Sequence, residues 1–343
     1  MAIRIALDAM GGDHAPATEV LGAVEAFRRH GVHTVLVGDR ERLERELARL
    51  KVTEGIDVEH AEEVVAMDDP PLTPIRKKKK SSLRIAAEMV KAGKAQGLVT
   101  AGNTGAAMAT AKLVIGGHEA VERPALATWV PNRKGASLLL DVGANSDCKP
   151  LHLEQFAIMG AVYASQVLQK DHPRVALLSI GEEDIKGNDL TKETYKRLST
   201  HNMNFVGNVE GHDLFSGSAD VIVTDGFTGN VVLKTGESVY EFIGNYLREG
   251  FRSTARARLG YLLSAPVFKG LKEKLDYAEY GGALLVGIKA VTLICHGRSK
   301  PRAIMNALKV ARDFCASGLN DKIGEEIRQR MKEHGNGKNS VAS

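Results

Sequence analysis

Asp220-Val-Ile-Val-Thr-Asp225-Gly-Phe-Thr-Gly229-Asn230 decides the fold of this 343-residue chain. Val221, Ile222 and Val223 form an apolar run, a glycine-bearing turn follows, and Val231-Val-Leu-Lys234 opens a helix-compatible stretch. That is the signature of a buried strand delivering a loop to a helix start. The same grammar recurs at Gly97-Leu-Val-Thr-Ala-Gly102-Asn103-Thr104-Gly105-Ala106, at Leu138-Leu-Leu-Asp141-Val-Gly143-Ala-Asn145 and at Val175-Ala-Leu-Leu-Ser-Ile-Gly181-Glu-Glu-Asp-Ile-Lys186-Gly187-Asn188. Such alternation predicts an α/β protein with a mostly parallel sheet sandwiched by helices.

Parallel sheets bind ligands beyond the carboxyl ends of their strands, so the four loops are expected to converge on one cleft. Glycines allow close backbone approach, helix N-termini offer unpaired N–H groups to an anion, and asparagine adds a neutral amide donor. The expected ligand is a small oxyanion. Taken singly, each loop also reads as an ordinary glycine-containing turn. Repetition in four places favours a site.

The length is enough for one α/β unit over residues 1–333, with room for two lobes and a cleft between them. The segment 334–343, His-Gly-Asn-Gly-Lys-Asn-Ser-Val-Ala-Ser from His334, reads as a disordered tail. A balance of 46 basic against 42 acidic side chains, and 5% aromatics, gives no nucleic-acid footprint. Cys148, Cys295 and Cys315 have neither ligand spacing nor an even count, which suits a reducing, cytoplasmic setting. The N-terminus lacks the blocks of a signal peptide, and no apolar run is long enough to span a bilayer.

Taken in order, Ile3 to Leu7 is a strand ending in Asp8-Ala-Met-Gly11-Gly12-Asp13-His14, followed by a helix from Thr18. His14 reads either as an acid/base or phosphate contact or as loop packing. Three prolines keep Met67 to Pro74 from being helical throughout. The basic run Arg76-Lys-Lys-Lys-Lys80 behind them is either solvated surface or a contact for an acidic partner. Ala106 to Ile115 reads as a buried helix, and the turn Asn132-Arg-Lys-Gly135 joins two strands as an antiparallel hairpin. Lys186 is the one cation within the four Gly/Asn loops, an ordinary surface lysine or a point charge for phosphate.

Residues 252–275 differ from everything before them. Leu259, Leu262 and Leu263, with Val267 and Phe268, make an apolar tip between the basic flanks Arg252, Arg256, Arg258, Lys269, Lys272 and Lys274. Pro266 is expected to divide the segment into a protruding helical hairpin. The stripe is either a buried core or dimer contact, or a membrane-surface contact.

Nucleotide loops of the G-x-x-x-x-G-K-[ST] or G-x-G-x-x-G type are missing, as is a G-x-S-x-G elbow. His and Asp/Glu are scattered, so neither a metal nor a cofactor is expected. Direct attack by a bound oxyanion remains.

Ala6-Leu-Asp-Ala-Met-Gly-Gly-Asp13, Lys79-Lys-Ser-Ser-Leu83, Ala101-Gly-Asn-Thr-Gly-Ala106, Arg123-Pro-Ala-Leu126, Leu140-Asp-Val-Gly-Ala-Asn145, Gly181-Glu-Glu183 with Lys186-Gly-Asn188, and Asp225-Gly-Phe-Thr-Gly-Asn230 form one ordered series. From about residue 3 to 330 it resembles the phosphate acyltransferases of bacterial phospholipid synthesis. The resemblance implies conversion of acyl-[acyl carrier protein] and inorganic phosphate to acyl phosphate and free carrier protein. It also implies a homodimer, the α/β fold of the isocitrate dehydrogenase and phosphotransacetylase group, and peripheral attachment to an anionic membrane. The family's lysine falls at Lys186 and its asparagine at Asn230, both as contacts to acyl phosphate. Phosphate held by glycine loops and Lys186 would attack the thioester while Asn230 and backbone N–H groups stabilise the oxyanion. The substrate-binding set is expected to be Gly11, Gly12, Asp13, His14, Asn103, Thr104, Gly105, Asn145, Asn188, Asp225, Thr228 and Gly229, with the basic flanks of 252–275 docking the carrier protein. Rival readings are a short-chain phosphotransacetylase or decarboxylating dehydrogenase on the same fold, and a non-catalytic membrane scaffold.

Overall fold

The apolar runs pair into one eleven-stranded sheet in the computed structural model, which describes residues 3–52, 54–275 and 281–340. Within these, the side chains at 168, 271–275, 319 and 331–340 are not described, so Lys272 and Lys274 lie outside the described side chains. The strands are β1 (Arg4–Asp8), β2 (His33–Gly38), β3 (Ile56–His60), β4 (Gly97–Thr100), β5 (Ala125–Asn132), β6 (Gly135–Leu140), β7 (Val175–Leu178), β8 (Phe205–Val209), β9 (Val221–Val223), β10 (Ala283–Val286) and β11 (Val291–Ile294). The helices are α1 (Ala17–His30), α2 (Arg40–Arg49), α3 (Thr73–Arg76), α4 (Ser82–Lys91), α5 (Thr104–Thr110), α6 (Pro150–Leu168), α7 (Asp189–Leu198), α8 (Gly226–Ser253), α9 (Ala255–Leu275), α10 (Pro301–Ser317) and α11 (Leu319–Ser340).

Strand order is β3-β2-β1-β4-β11-β10-β5-β6-β9-β7-β8. Two parallel blocks, β3-β2-β1-β4-β11 and β6-β9-β7-β8, are joined through antiparallel pairings of β11 with β10, β10 with β5 and β5 with β6. The β5–β6 pair is the hairpin expected from its turn, closing at Asn132 opposite Gly135. Alternate residues serve two core layers: Ile5 and Leu7 face one with Val20, Phe156 and Ile304, and Ala6 faces the other with Leu83, Ala86 and Ala107. Burial on both faces explains why these strands read as unbroken apolar runs.

Three expectations need correction. Pro266 does not divide the 252–275 segment, because α9 runs unbroken past it; an interior proline removes one backbone donor, and the neighbouring turns hold the helix. The hairpin instead pairs α9 with α8, a single helix that starts at Gly226 and turns at Thr254, whose hydroxyl accepts from the N–H of Ala257 at 3.1 Å. Beyond Gly229 no residue of α8, and no described residue of α9, is buried, so the pair forms an arm. Second, the backbone of α11 stays helical to Ser340 where a tail was expected from residue 334, since each residue added to a formed helix gains a hydrogen bond; 341–343 lie outside the described residues. Third, α5 passes into a π-helical turn at Ala111–Ile115 that carries Leu113 to the surface, so this stretch is not buried all round. Among the described residues no helix is long and apolar enough to cross a membrane.

Candidate active site

Asp141 ends β6 fully buried and organises the turn after it. Oδ1 accepts from the N–H groups of Leu126 (3.0 Å), Gly143 (3.2 Å) and Ala144 (2.9 Å), and Oδ2 from the Asn145 N–H (2.7 Å) and side-chain amide (2.8 Å). Burial pushes the carboxyl upward and these donors pull against it. The turn that the sequence offered as an anion cradle is thus filled by the chain's own carboxyl. Arg123 fastens its far end, donating to the Asp147 carbonyl at 2.6 Å.

The first turn of α8 presses on this loop through glycines. A Cβ on Gly229 would lie 1.9 Å from the Asp141 carbonyl oxygen, and one on Gly226 2.7 Å from the Asn145 nitrogen. Asp225 caps the helix, accepting from the Thr228 N–H at 2.9 Å and hydroxyl at 2.8 Å. Half-buried Asn230 then lies against Gly143, its side-chain atoms 3.7 Å from where a Cβ would stand. The candidate asparagines divide here. Asn103 donates to the carbonyls of Ala66, Met67 and Asp69, Asn145 to those of Pro124 and to Asp141, and Asn188 accepts from the Thr191 N–H as the cap of α7. Among the described residues Asn230 alone of the four makes no side-chain hydrogen bond.

Lys186 stands in the loop after β7, the parallel neighbour of β9. Leu177 is registered with Val223, so the two loops leave the sheet side by side at a strand spacing of about 4.8 Å. The lysine stem crosses Gly181, where a Cβ would meet its Cγ at 2.9 Å. Its ammonium is exposed and makes no ion pair among the described residues, although Glu182, Glu183 and Asp184 precede it. Exposed Ile180, Ile185 and Phe227 add an apolar rim to these two loops.

The β4 loop does not join this group. It meets the β1 loop, where a Cβ on Gly11 would lie 2.7 Å from Asp8 Oδ2 and 2.9 Å from the Gly102 Cα. Buried Asp8 accepts from the Thr100 hydroxyl at 2.8 Å, and burial raises its carboxyl. Glu19, from the first turn of α1, reaches under Gly12 with Oε1 only 2.2 Å from a Cβ position there. Its Oε2 is buried without a partner. Asp13 and His14 are exposed, and the Asp13 N–H donates to the Gly297 carbonyl at 2.9 Å. Thr104 and Gly105 leave their N–H groups without partners among the described residues at the head of α5. The antiparallel strands between the two blocks reverse the sheet's direction, which is why one common row of loops does not form. His296, after β11, bridges them by pairing with Glu237 of α8 at 3.3 Å.

The sequence singles out Lys186 and Asn230, whose side chains stand on neighbouring loops, but not Asp8, Asp141 and Glu19, which are buried beneath the glycines of the loops. The signal was there in part: each aspartate ends an apolar strand and precedes glycines. On the arm, Leu259, Leu262, Leu263 and Val267 are exposed, whereas Phe268 turns onto Phe251 and Tyr261, with ring centres 5.0 and 5.7 Å away. Arg252, Arg256, Arg258 and Lys269 are exposed.

The model of the family described as fatty acid synthesis protein matches residues 3–322. A phosphate acyltransferase of Geobacter sulfurreducens is 50% identical over 327 residues, covering 95% of this chain and 94% of its own. One from Syntrophotalea carbinolica is 50% identical over 333 residues, covering 96% of each. Among solved structures, a phosphotransacetylase from Streptococcus pyogenes superposes with a TM-score of 0.59 at 16% identity over 91% of this chain and 94% of its own. A branched-chain phosphotransacylase from Enterococcus faecalis does so with 0.54 at 15% identity, over 90% and 97%. These last two show a shared fold.

Proposed function

We propose a mechanism from one premise: this chain belongs to the fatty acid synthesis protein family of phosphate acyltransferases and is an acyltransferase whose acceptor is phosphate. The donor is acyl-[acyl carrier protein], and the products are acyl phosphate and free carrier protein. Lys186 holds phosphate as a point charge and leaves an oxygen free to attack the thioester carbonyl. As the O–C bond forms, the carbonyl oxygen takes up negative charge and the Asn230 amide donates to it. The C–S bond then breaks and the carrier's thiolate departs. The glycines and capping residues in the loops after β6, β7 and β9, Asn145, Asn188, Asp225, Thr228 and Gly229, shape these loops around the phosphate. Ile180, Ile185 and Phe227 offer the acyl chain an apolar rest.

Cys148 lies beside the Asp141 turn but does not compete as a nucleophile. Burial, with the charge of Asp141 adding to it, pushes its thiol up to about 12, so it stays protonated. The arm is assigned two surfaces: exposed Val239, Phe242, Ile243 and Tyr246 of α8 to a second copy of the chain, and Leu259, Leu262, Leu263 and Val267 of α9 to an anionic membrane. The protein would then work at the cytoplasmic membrane surface.

The observation that carries the chemistry is an uncommitted amide, on Asn230, one strand away from an uncommitted ammonium, on Lys186. Lys186→Ala is expected to raise the KM for phosphate. Asn230→Ala is expected to lower turnover by ~10²- to 10³-fold. Wild-type kinetics for both variants across a phosphate titration would sink the assignment.

A further inference from the structure

The segment 61–82 is a closed surface loop lying over the β4 and β11 loops. It is pinched shut where Glu63 pairs with Ser81, and the Ser82 N–H donates to the Glu63 carbonyl at 3.0 Å. Asn103, at the head of α5, ties three of its carbonyls down at 2.8 to 3.3 Å. Pro71 sits over Gly105, where a Cβ would meet its Cγ at 3.0 Å, and Met67 reaches Gly297 in the same way. This loop is thus joined to the strand ends of the first block and, through His296 and Glu237, to α8.

Its charges are sorted. Lys78 is committed inward, to Asp69 at 2.6 Å and the Val64 carbonyl at 2.9 Å, and Lys80 pairs with Glu62 at 3.0 Å. Arg76, Lys77 and Lys79 are exposed and make no ion pair among the described residues. Met67 and Leu72 lie on the same segment at 43% and 36% exposure, so the loop shows apolar contacts beside unneutralised cations. The arm offers the competing basic cluster, but Arg252 is 22 residues beyond Asn230 on one helix, about 33 Å at 1.5 Å per residue.

We propose that Arg76, Lys77 and Lys79, with Met67 and Leu72, form the surface on which the acidic acyl carrier protein docks. This rests on the reading of the chain as an acyltransferase that takes its donor from that carrier. An acidic globular partner matches both halves of the surface: opposite charge steers the encounter, and the apolar pair supplies a dry centre. Met67 of this loop touches Gly297, whose neighbour His296 pairs with Glu237, about 10 Å along α8 from Asn230, so a carrier docked here stands beside the helix that leads to the site. The cations of the arm remain for the bilayer.

The test compares two charge-reversed proteins, Lys77→Glu with Lys79→Glu and Arg256→Glu with Arg258→Glu, in the conversion of long-chain acyl carrier protein and phosphate to acyl phosphate. The first pair should raise the KM for acyl carrier protein by about tenfold at low salt, an effect that shrinks as salt is added, with kcat and the KM for phosphate unchanged. Binding to vesicles of anionic phospholipid should also be unchanged. A milder pair, Lys77→Ala with Lys79→Ala, should shift the KM the same way by less, and melting curves identify any variant that fails to fold. The docking surface is overturned if the arm pair alone raises that KM. It is equally overturned if the loop pair releases the protein from vesicles and leaves the KM alone. A wild-type protein that forms no acyl phosphate would refute the acyltransferase reading instead.

Discussion

Glu19 carries a pH dependence that no motif announces. It is 1% exposed, faces Asp8 and Asp13 from the β1 strand and loop and Cys295 from the end of β11, and burial, with both aspartates adding, raises its carboxyl to about 7. In the unfolded chain it titrates near 4.5, so the fold favours the protonated form. The stability this contributes is complete below about 4.5 and is lost as pH rises through about 7. Glu19→Gln should therefore raise the melting temperature at pH 8, by up to about 3 kcal/mol of stability, and change it little at pH 4.5. Equal shifts at both pH values in a calorimeter would show that the carboxyl is not held in this way. Lys186 and Asn230 stand out as candidates in the sequence because a lone cation and an amide among glycines are features local to a loop. Glu19, Asp8 and Asp141 do not, because a glycine in a sequence does not reveal which buried carboxyl will occupy the space its missing side chain leaves.

The junction of β6 with α8 can be tested by one added methyl group. In Gly229→Ala the Cβ would meet a backbone oxygen at 1.9 Å, and backbone cannot yield as a flexible side chain can. The first turn of α8 must shift away from Asp141, carrying Asn230 with it. The expected loss is roughly 1 to 3 kcal/mol of stability, read from a denaturant melt, together with at least a tenfold fall in kcat. A variant with wild-type turnover would mean that Asn230 need not be held against Gly143. Among elements, the β5–β6 hairpin was legible from Asn132 to Gly135 because its turn sets its register. The length of α8 was not, since its first turn looks like a loop of glycines and its cap, Asp225, shows only in the geometry.

For the molecule as a whole, the sequence showed strands ending in glycine loops but not their order in the sheet. Of the three antiparallel pairings that separate the β4 loop from those after β6, β7 and β9, one is the β5–β6 hairpin and the other two are made by β10, contributed late in the chain. The arm is where a double substitution tests the two proposed contacts against each other. Leu262 and Leu263 are 69% and 78% exposed, and each fully inserted leucine is worth about 1.5 to 3 kcal/mol, with about 1 kcal/mol more for each cation near an anionic leaflet. Leu262→Glu with Leu263→Glu should release the protein from anionic vesicles while leaving turnover of soluble acyl carrier protein largely intact. If those side chains face a second copy instead, light scattering will show monomers or aggregates and activity will fall without lipid. One continuous helix joins this arm to the site, 28 residues or about 42 Å long. It is gripped through glycines at its first turn and offers apolar surface along the rest, so a shift at either end would be carried to the other along one helix. Reciprocity then binds its two ends: whatever factor an occupied site lends to the grip of the arm, a gripped arm lends back to the site.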